Sequence, residues 1–465
     1  MIKVYRAFII IGCFFITSIY LVILKVLLIR RIKLKTLKET VDEMRPEKRR
    51  PNQHRNINTT GRTLIGYKSG FNAVYADDRA KHIFTCGTTG SGKTIALSNF
   101  IKSGVRKDYP MLVIDGKGDI NDGSMIEIVK KLKGNKKLYV INMVDPINSD
   151  KYNPFMGANP TTCKDMLINM TEWSEEHYKA NTERYIERLV RLLVLANIKL
   201  SFKNIIDNMP SKMFELLSAR LNKEGIIEKE EHLSNLELIK TSGAIANGAC
   251  ARFSLIQESE IGNMFDDDGI DIHQALEEKA IILFILNPLS YPELSPLFGR
   301  LVLIDAKKAV SKIFTKKIAD RLFFIMDEIN VYASPILIDL INKSRSAGVT
   351  CIPATQSLAD LEFIAGEAFK HQIIENCNNY IIMRQNSAKS AEEWANVIGT
   401  KQTMEVTYQI EQSKQMSAST GLGSAKRVRE YVYHPDDIKT LRTGEAIYLS
   451  KDEGISAKIK VNKPF

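Results

Sequence analysis

Short, almost wholly apolar runs punctuate this chain. They are Met111 to Asp115, Lys137 to Asn142, Ala280 to Asn287, Leu322 to Met326, Thr350 to Ala354 and Asn379 to Met383. A strand with one wet face alternates apolar and polar residues; a strand apolar throughout is covered on both faces. Helical stretches separate these runs, so the pattern predicts an α/β fold with a central, mostly parallel sheet. His82 to Cys86 reads as another strand, followed by a helix over Ile95 to Val105. From Pro160 to about Ile270 the rhythm changes: Ile186, Leu189, Val190, Leu193 and Val194 fall at helical spacing, and Met213 to Leu221 and Leu233 to Lys240 continue in kind. This predicts an all-α insertion between two sheet strands. Gln409 to Ala425, rich in Gln, Ser, Thr and Gly, reads as a mobile loop, and Ala446 to Ser450 and Ala457 to Val461 as two closing strands.

The N-terminus follows another pattern. Ala7 to Ile29 is interrupted only by Lys25 and small polar residues, long enough for a helix to cross a bilayer. Arg30, Arg31, Lys33, Lys35 and Lys38 follow at once, which predicts a single-pass anchor with the body in the cytoplasm. A cleaved signal peptide fits less well, because the apolar run is long and a basic cluster stands where small residues would mark cleavage. The expected organisation is therefore an anchor over 1–30, a basic polar linker over 31–61, a first nucleotide-binding part over 62–159, the helical insertion over 160–271 and a second nucleotide-binding part over 272–465.

Charge changes the picture only once it is located. The formal net charge is +11, but residues 1–55 carry 13 Lys/Arg against 4 Asp/Glu, leaving 52 against 50 in the rest. The basic excess lies beside the apolar run, so the overall charge says little about nucleic acid. The 6 Cys show no C-x-x-C spacing and the 7 His are scattered, which excludes a zinc motif and suits a reducing compartment.

The chemistry concentrates in Gly87-Thr88-Thr89-Gly90-Ser91-Gly92-Lys93-Thr94, which fits G-x-x-x-x-G-K-[ST] between a strand and a helix. Such a loop aims backbone N–H groups and a helix N-terminus at phosphates. Lys93 is placed to reach the β- and γ-phosphates of ATP, and the Thr94 hydroxyl to ligate Mg²⁺. Leu322 to Met326 ends in Asp327-Glu328; in a nucleotide hydrolase the first acid holds Mg²⁺ and the second orients or deprotonates the attacking water. Gln356, after the strand Thr350 to Ala354, reads as a γ-phosphate sensor or as a loop amide. Arg345 reads as a finger reaching a neighbouring subunit or as a surface charge. Asp115-Gly116-Lys117-Gly118-Asp119 reads as a tight acidic turn or as a segment over the nucleotide.

Together these segments resemble the type IV coupling proteins, the TraG/TraD family within the FtsK/HerA-like ATPases. The likeness includes Tyr152-Asn153-Pro154-Phe155, the helical insertion, Arg345 with Thr355-Gln356-Ser357, and Tyr433-His434-Pro435-Asp436-Asp437-Ile438. The resemblance implies a RecA-like P-loop motor, a homo-hexamer at the inner membrane. It would couple relaxase-bound single-stranded DNA, or effector proteins, to the channel proteins of a type IV secretion system. It also implies Asp327 as Mg²⁺ ligand, Glu328 as catalytic base, Gln356 as sensor and Arg345 as the finger in trans. Two departures stand out: one apolar run where many members have two, and no long C-terminal tail. A protein-only export ATPase, an FtsK/HerA-like translocase and a non-hydrolysing nucleotide-binding scaffold are the alternatives.

Overall fold

The computed structural model describes residues 16–29, 31, 60–68, 72–79, 81–413 and 416–465. Residues 16–29 form helix α1, whose apolar side chains are all exposed. Among the described residues no helix is long and apolar enough to cross a membrane. Residues 1–15 and 30 of the expected anchor and almost all of the expected linker lie outside them.

The main body is built on one eleven-stranded sheet in the order β2-β1-β13-β12-β9-β3-β8-β7-β4-β6-β5. Seven strands run parallel: β3 (Ile83–Cys86), β4 (Met111–Asp115), β5 (Leu138–Asn142), β6 (Ile281–Ile285), β7 (Leu322–Asp327), β8 (Val349–Thr355) and β9 (Asn379–Ile382). The flank is antiparallel: β1 (Arg62–Lys68), β2 (Asn72–Asp77), β12 (Glu445–Ser450) and β13 (Ile455–Val461).

Residues in β6 and β7 divide between two faces, as period-two geometry requires. Ile281, Leu283, Ile285, Phe323 and Ile325 share one core with Leu97, Phe100 and Ile101 of α2 (Lys93–Arg106) and with α3 (Met125–Leu132). Phe100 meets Phe323 edge-on at 6.0 Å between ring centroids. On the other face Phe284 packs on Phe298 and Tyr152. Both faces are therefore dry, which is why the strands are apolar at successive positions.

Between β5 and β6 the chain runs through α4 (Pro160–Met170), α5 (Glu176–Leu195), α6 (Phe202–Asn208), α7 (Ser211–Lys223), α8 (Lys229–Glu258) and the short α9 (Ile272–Glu277). Helix α4 starts where Pro160 takes the first turn and the Asn159 side chain accepts the Thr162 N–H, at 2.8 Å. Ile186, Leu189, Val190 and Leu193 are buried on α5, whereas Val194 is exposed. Tyr152-Asn153-Pro154-Phe155 pins this helical part to the sheet. The Tyr152 hydroxyl donates to buried Asp305 at 2.9 Å, and Lys308 of α10 (Leu294–Thr315) donates to the Pro154 carbonyl at 2.6 Å. Asp271 and Asp305 both ion-pair with that lysine, so its buried charge is matched.

The remaining helices are α11 (Pro335–Ser344), α12 (Leu358–Asn376), α13 (Ala388–Ile398) and α14 (Pro435–Lys439). The expected loop at Gln409 to Ala425 is a correction. The described residues there, 409–413 and 416–425, lie in an antiparallel ribbon, β10 (Thr400–Ser413) against β11 (Met416–Tyr431), with Thr400 opposite Tyr431 and Ser413 opposite Met416. Strand pairing satisfied the backbone where side-chain composition gave no β signal. The ribbon belongs to a separate unit, residues 1–57 with 392–434.

Candidate nucleotide site

Strand order brings the chemistry together. Three neighbouring parallel strands, β3, β8 and β7, deliver the phosphate loop, Gln356 and the acids to one sheet edge. The loop leaves β3 at Gly87, where an added Cβ would lie 2.5 Å from Met383 Cβ and 2.8 Å from Ser91 Oγ. It enters α2 through Gly92, whose φ of 106° suits glycine. Its fold is held from both sides. The Gly87 N–H donates to the Thr355 carbonyl (3.3 Å) and the Thr88 N–H to the Arg384 carbonyl (3.0 Å). From the closing segment, Gly444 N–H donates to the Ser91 carbonyl (2.9 Å) and the Thr443 hydroxyl to the Gly90 carbonyl (3.2 Å).

A chain of polar contacts crosses from loop to acid. The Thr89 hydroxyl donates to Gln356 Oε1 at 2.9 Å, and Gln356 Nε2 donates to Glu328 Oε1 at 3.1 Å. Lys93 Nζ lies 3.4 Å from the same Glu328 oxygen and donates to the Gly87 carbonyl at 2.9 Å. Glu328 adopts φ 48°, ψ 53°, an uncommon left-handed conformation for a residue with a Cβ. Its second oxygen is buried without a partner, as are Thr88 Oγ1 and Arg384 Nε. Such orphaned groups are costly unless a ligand completes them, so the residues present fit a metal-bound triphosphate. Thr94, at the first turn of α2, and Asp327 are the oxygen donors available to Mg²⁺.

Asp327 faces a third acid, Asp115, which heads the turn read from the sequence either as an acidic turn or as a segment over the nucleotide. Asp115 ends β4 directly opposite Asp327 in the parallel register. The Gly116 N–H donates to the Asp327 carbonyl (3.2 Å) and the Lys117 N–H to Asp115 Oδ1 (2.9 Å), so the Asp115–Asp119 turn lies beside the acid pair. Lys117 itself pairs with Asp119. Burial pushes the Asp115 carboxyl up to about 6. Burial, then the charges of Glu328 and Asp115, push Asp327 up to about 7. Acids crowded in a dry site hold protons until a cation arrives.

This raised value has a sign that can be tested. Between the ordinary carboxylate range and pH 7 the folded state keeps a proton on Asp327 that the unfolded state releases, so stability falls as pH rises through that window and stays lower above it. Asp327→Asn removes the penalty while keeping the oxygen that accepts the Glu328 N–H at 3.0 Å. The variant should melt roughly 2–5 °C above the parent at pH 8 without Mg²⁺ and level with it at pH 4. It should also lose the Mg²⁺-dependent part of the nucleotide-induced shift. Thermal melts at the two pH values, with and without Mg²⁺-ATP, check both.

Arg345 is elsewhere. It is exposed in the turn before the N-terminal end of β8, the end opposite Gln356. Its charge, after burial, helps hold His82 down at about 4. His82 accepts the Cys351 N–H at 3.0 Å and is a buried structural residue. The fold thus gathers Gly87 to Thr94, Asp327, Glu328 and Gln356 at one edge and leaves Arg345 at the other. Sequence reading missed Arg384 and Thr443-Gly444, and it named Asp115 as part of the Asp115–Asp119 turn without pairing it with Asp327.

These features define a P-loop nucleotide-binding protein. Residues 321–443 match the family described as the TraM recognition site of TraD and TraG. A stretch of 102 residues is 32% identical to an uncharacterized protein of Mycoplasma pneumoniae, covering 22% of this chain and 67% of that one. In fold the chain is similar to the unbound bacterial conjugative coupling protein TrwB, with a TM-score of 0.60 at 16% identity over 87% of this chain and 89% of that one. TrwB in complex with ADP and Mg²⁺ gives a TM-score of 0.58 at 16% identity, over 87% and 95%. VirB4 of Thermoanaerobacter pseudethanolicus gives 0.51 at 11% identity, over 86% and 96%. Residues 321–443 thus match the TraD and TraG model, and the body as a whole shares the TrwB fold.

Proposed function

We propose that this chain is the ATP-hydrolysing coupling motor of a type IV secretion system. In this reading it is a single-pass protein of the bacterial inner membrane with its body in the cytoplasm. It works as a homo-hexamer that passes relaxase-bound single-stranded DNA to the channel proteins. The observation that carries the enzymatic part is the continuous polar path Thr89–Gln356–Glu328–Lys93, which ties the phosphate loop to the acid. The membrane part rests on α1, since contiguous exposed apolar surface of this kind marks a membrane or protein contact, with the basic residues 30, 31, 33, 35 and 38 following it.

In this reading the backbone N–H groups of Gly87 to Thr94 cradle the phosphates of ATP and Lys93 turns from Glu328 to them. Thr94 and Asp327 would hold Mg²⁺, which would supply positive charge against the phosphates. Glu328, deprotonated, takes a proton from the attacking water, and Gln356 holds that carboxylate in line. When the γ-phosphate leaves, Gln356 can report the change to Thr89 on one side and to α12 on the other, because Ser357 caps that helix.

ATP turnover by the purified full chain, with and without single-stranded DNA over a salt series, tests the proposal. DNA should stimulate turnover at low salt, and the effect should fade as salt rises because phosphate contacts release counterions. Turnover that ignores nucleic acid at every salt would favour a second reading, an ATPase exporting only proteins. The near balance of 52 basic against 50 acidic residues after residue 55 favours that alternative.

A further inference from the structure

The body's nearly balanced charge hides one local imbalance. At the C-terminal end of α2, about 20 Å along the helix from the phosphate loop, the side chains of Arg62, Lys102, Arg106, Lys107 and Lys463 line a single cleft of 430 Å³. Two of these cations are already matched: Arg62 pairs with Glu453, and Lys107 with Asp78. Among the described residues no ion pair reaches Lys102, Arg106 or Lys463. Among the described residues Lys102 donates to the Pro464 carbonyl alone. The walls are fixed. Asn99 Nδ2 donates to the Asn462 carbonyl at 2.9 Å, Asn462 Nδ2 donates to Asn99 Oδ1 at 2.7 Å, and Lys107 Nζ donates to the Arg62 carbonyl at 2.7 Å. Five cations against two acids around a preformed concavity is a site for a compact, multiply charged anion. Nucleic acid would need a track of cations at phosphate spacing rather than one cleft.

Place in the chain narrows the anion. Arg62 opens β1, the first strand after the basic stretch that follows the apolar α1. Phe465, next to the Pro464 that Lys102 holds, is exposed. A cluster of cations that follows an apolar helix and a basic stretch in the chain suits the anionic headgroup layer of a bilayer. We infer that this cleft binds the phosphate-bearing headgroup of an anionic membrane lipid and so docks this edge of the motor body on the bilayer. The inference rests on the membrane-anchored reading above.

Full chain is mixed with vesicles of phosphatidylcholine alone or with about one-third phosphatidylglycerol, chosen for its surface charge. Amine labelling of Lys102 and Lys463 is read by mass spectrometry, and flotation of the chain is followed in parallel. Phosphatidylglycerol should cut labelling of both lysines roughly fivefold or more, the factor expected per basic residue at an anionic surface. Arg106→Glu should abolish the protection of both lysines while leaving ATP turnover, at the far end of α2, intact. Labelling that is the same on both vesicles overturns the inference. So does protection by inorganic phosphate, or by an oligonucleotide, in the absence of any protection by phosphatidylglycerol. Failure to float with phosphatidylcholine would instead strike the anchor, because flotation there does not use the cleft.

Discussion

Glu328→Gln should bind ATP and turn it over about 10²–10⁴-fold more slowly, the usual weight of a positioned general base. The substitution preserves shape. Its amide oxygen can still accept from Gln356 Nε2, which lies 3.1 Å from Glu328 Oε1. What disappears is the buried oxygen that has no partner within the protein, the atom free to take a proton from water. Lys93 also loses the negative charge 3.4 Å away and keeps only neutral oxygens beside it, so it is freer to meet phosphate. Nucleotide affinity should therefore hold or rise while turnover collapses. Lys93→Ala should do the reverse to binding and lose most phosphate affinity. Equilibrium binding of ATP beside steady-state turnover separates the two variants. Turnover by Glu328→Gln within tenfold of the parent would move the base elsewhere, with Asp115 the nearest candidate by register.

The sheet was legible because burial on both faces leaves a mark at every strand position. Met111 to Ile114, Ile281 to Ile285 and Leu322 to Met326 are apolar and buried without a break, as strands covered on both faces must be. The phosphate loop and the acids were legible because each obeys a local rule: two glycines where the backbone turns, and acids where an apolar strand meets the ligand edge. What escaped was decided at long range. Asp115 gains its meaning only from standing opposite Asp327, which strand order alone creates. Thr443 and Gly444 clasp the phosphate loop from more than 350 positions away. Arg384 sits beside Thr88 because β9 happens to neighbour β3. The ribbon over Thr400–Tyr431 failed in the opposite direction: its Ser, Thr, Gln and Gly suggested a loop, but pairing between its own two arms outweighed weak strand propensity.

Arg345→Ala should lower turnover by about 10³-fold or more if its guanidinium is the finger that meets the transferred phosphoryl group. The fold makes that role impossible within one protomer. Arg345 precedes β8 and Gln356 follows it, so the seven-residue strand Val349–Thr355 separates them by roughly 20 Å at strand rise. An exposed arginine at the far edge can serve only a neighbour's loop, which requires a head-to-tail contact; such contacts close into rings. The consequence is quantitative. In an equal mixture of Lys93→Ala and Arg345→Ala subunits, an interface works when an Arg345→Ala protomer supplies the loop and a Lys93→Ala protomer supplies the finger. Random assembly puts that arrangement at about a quarter of interfaces, so two nearly inactive preparations should together recover up to about a quarter of parental turnover. Subunit exchange followed by fluorescence transfer between labelled protomers would establish that mixing occurred. No recovery under those conditions, or an Arg345→Ala protein as active as its parent, would leave Arg345 a surface charge and open the search for the finger to Arg384, whose buried Nε already stands without a partner.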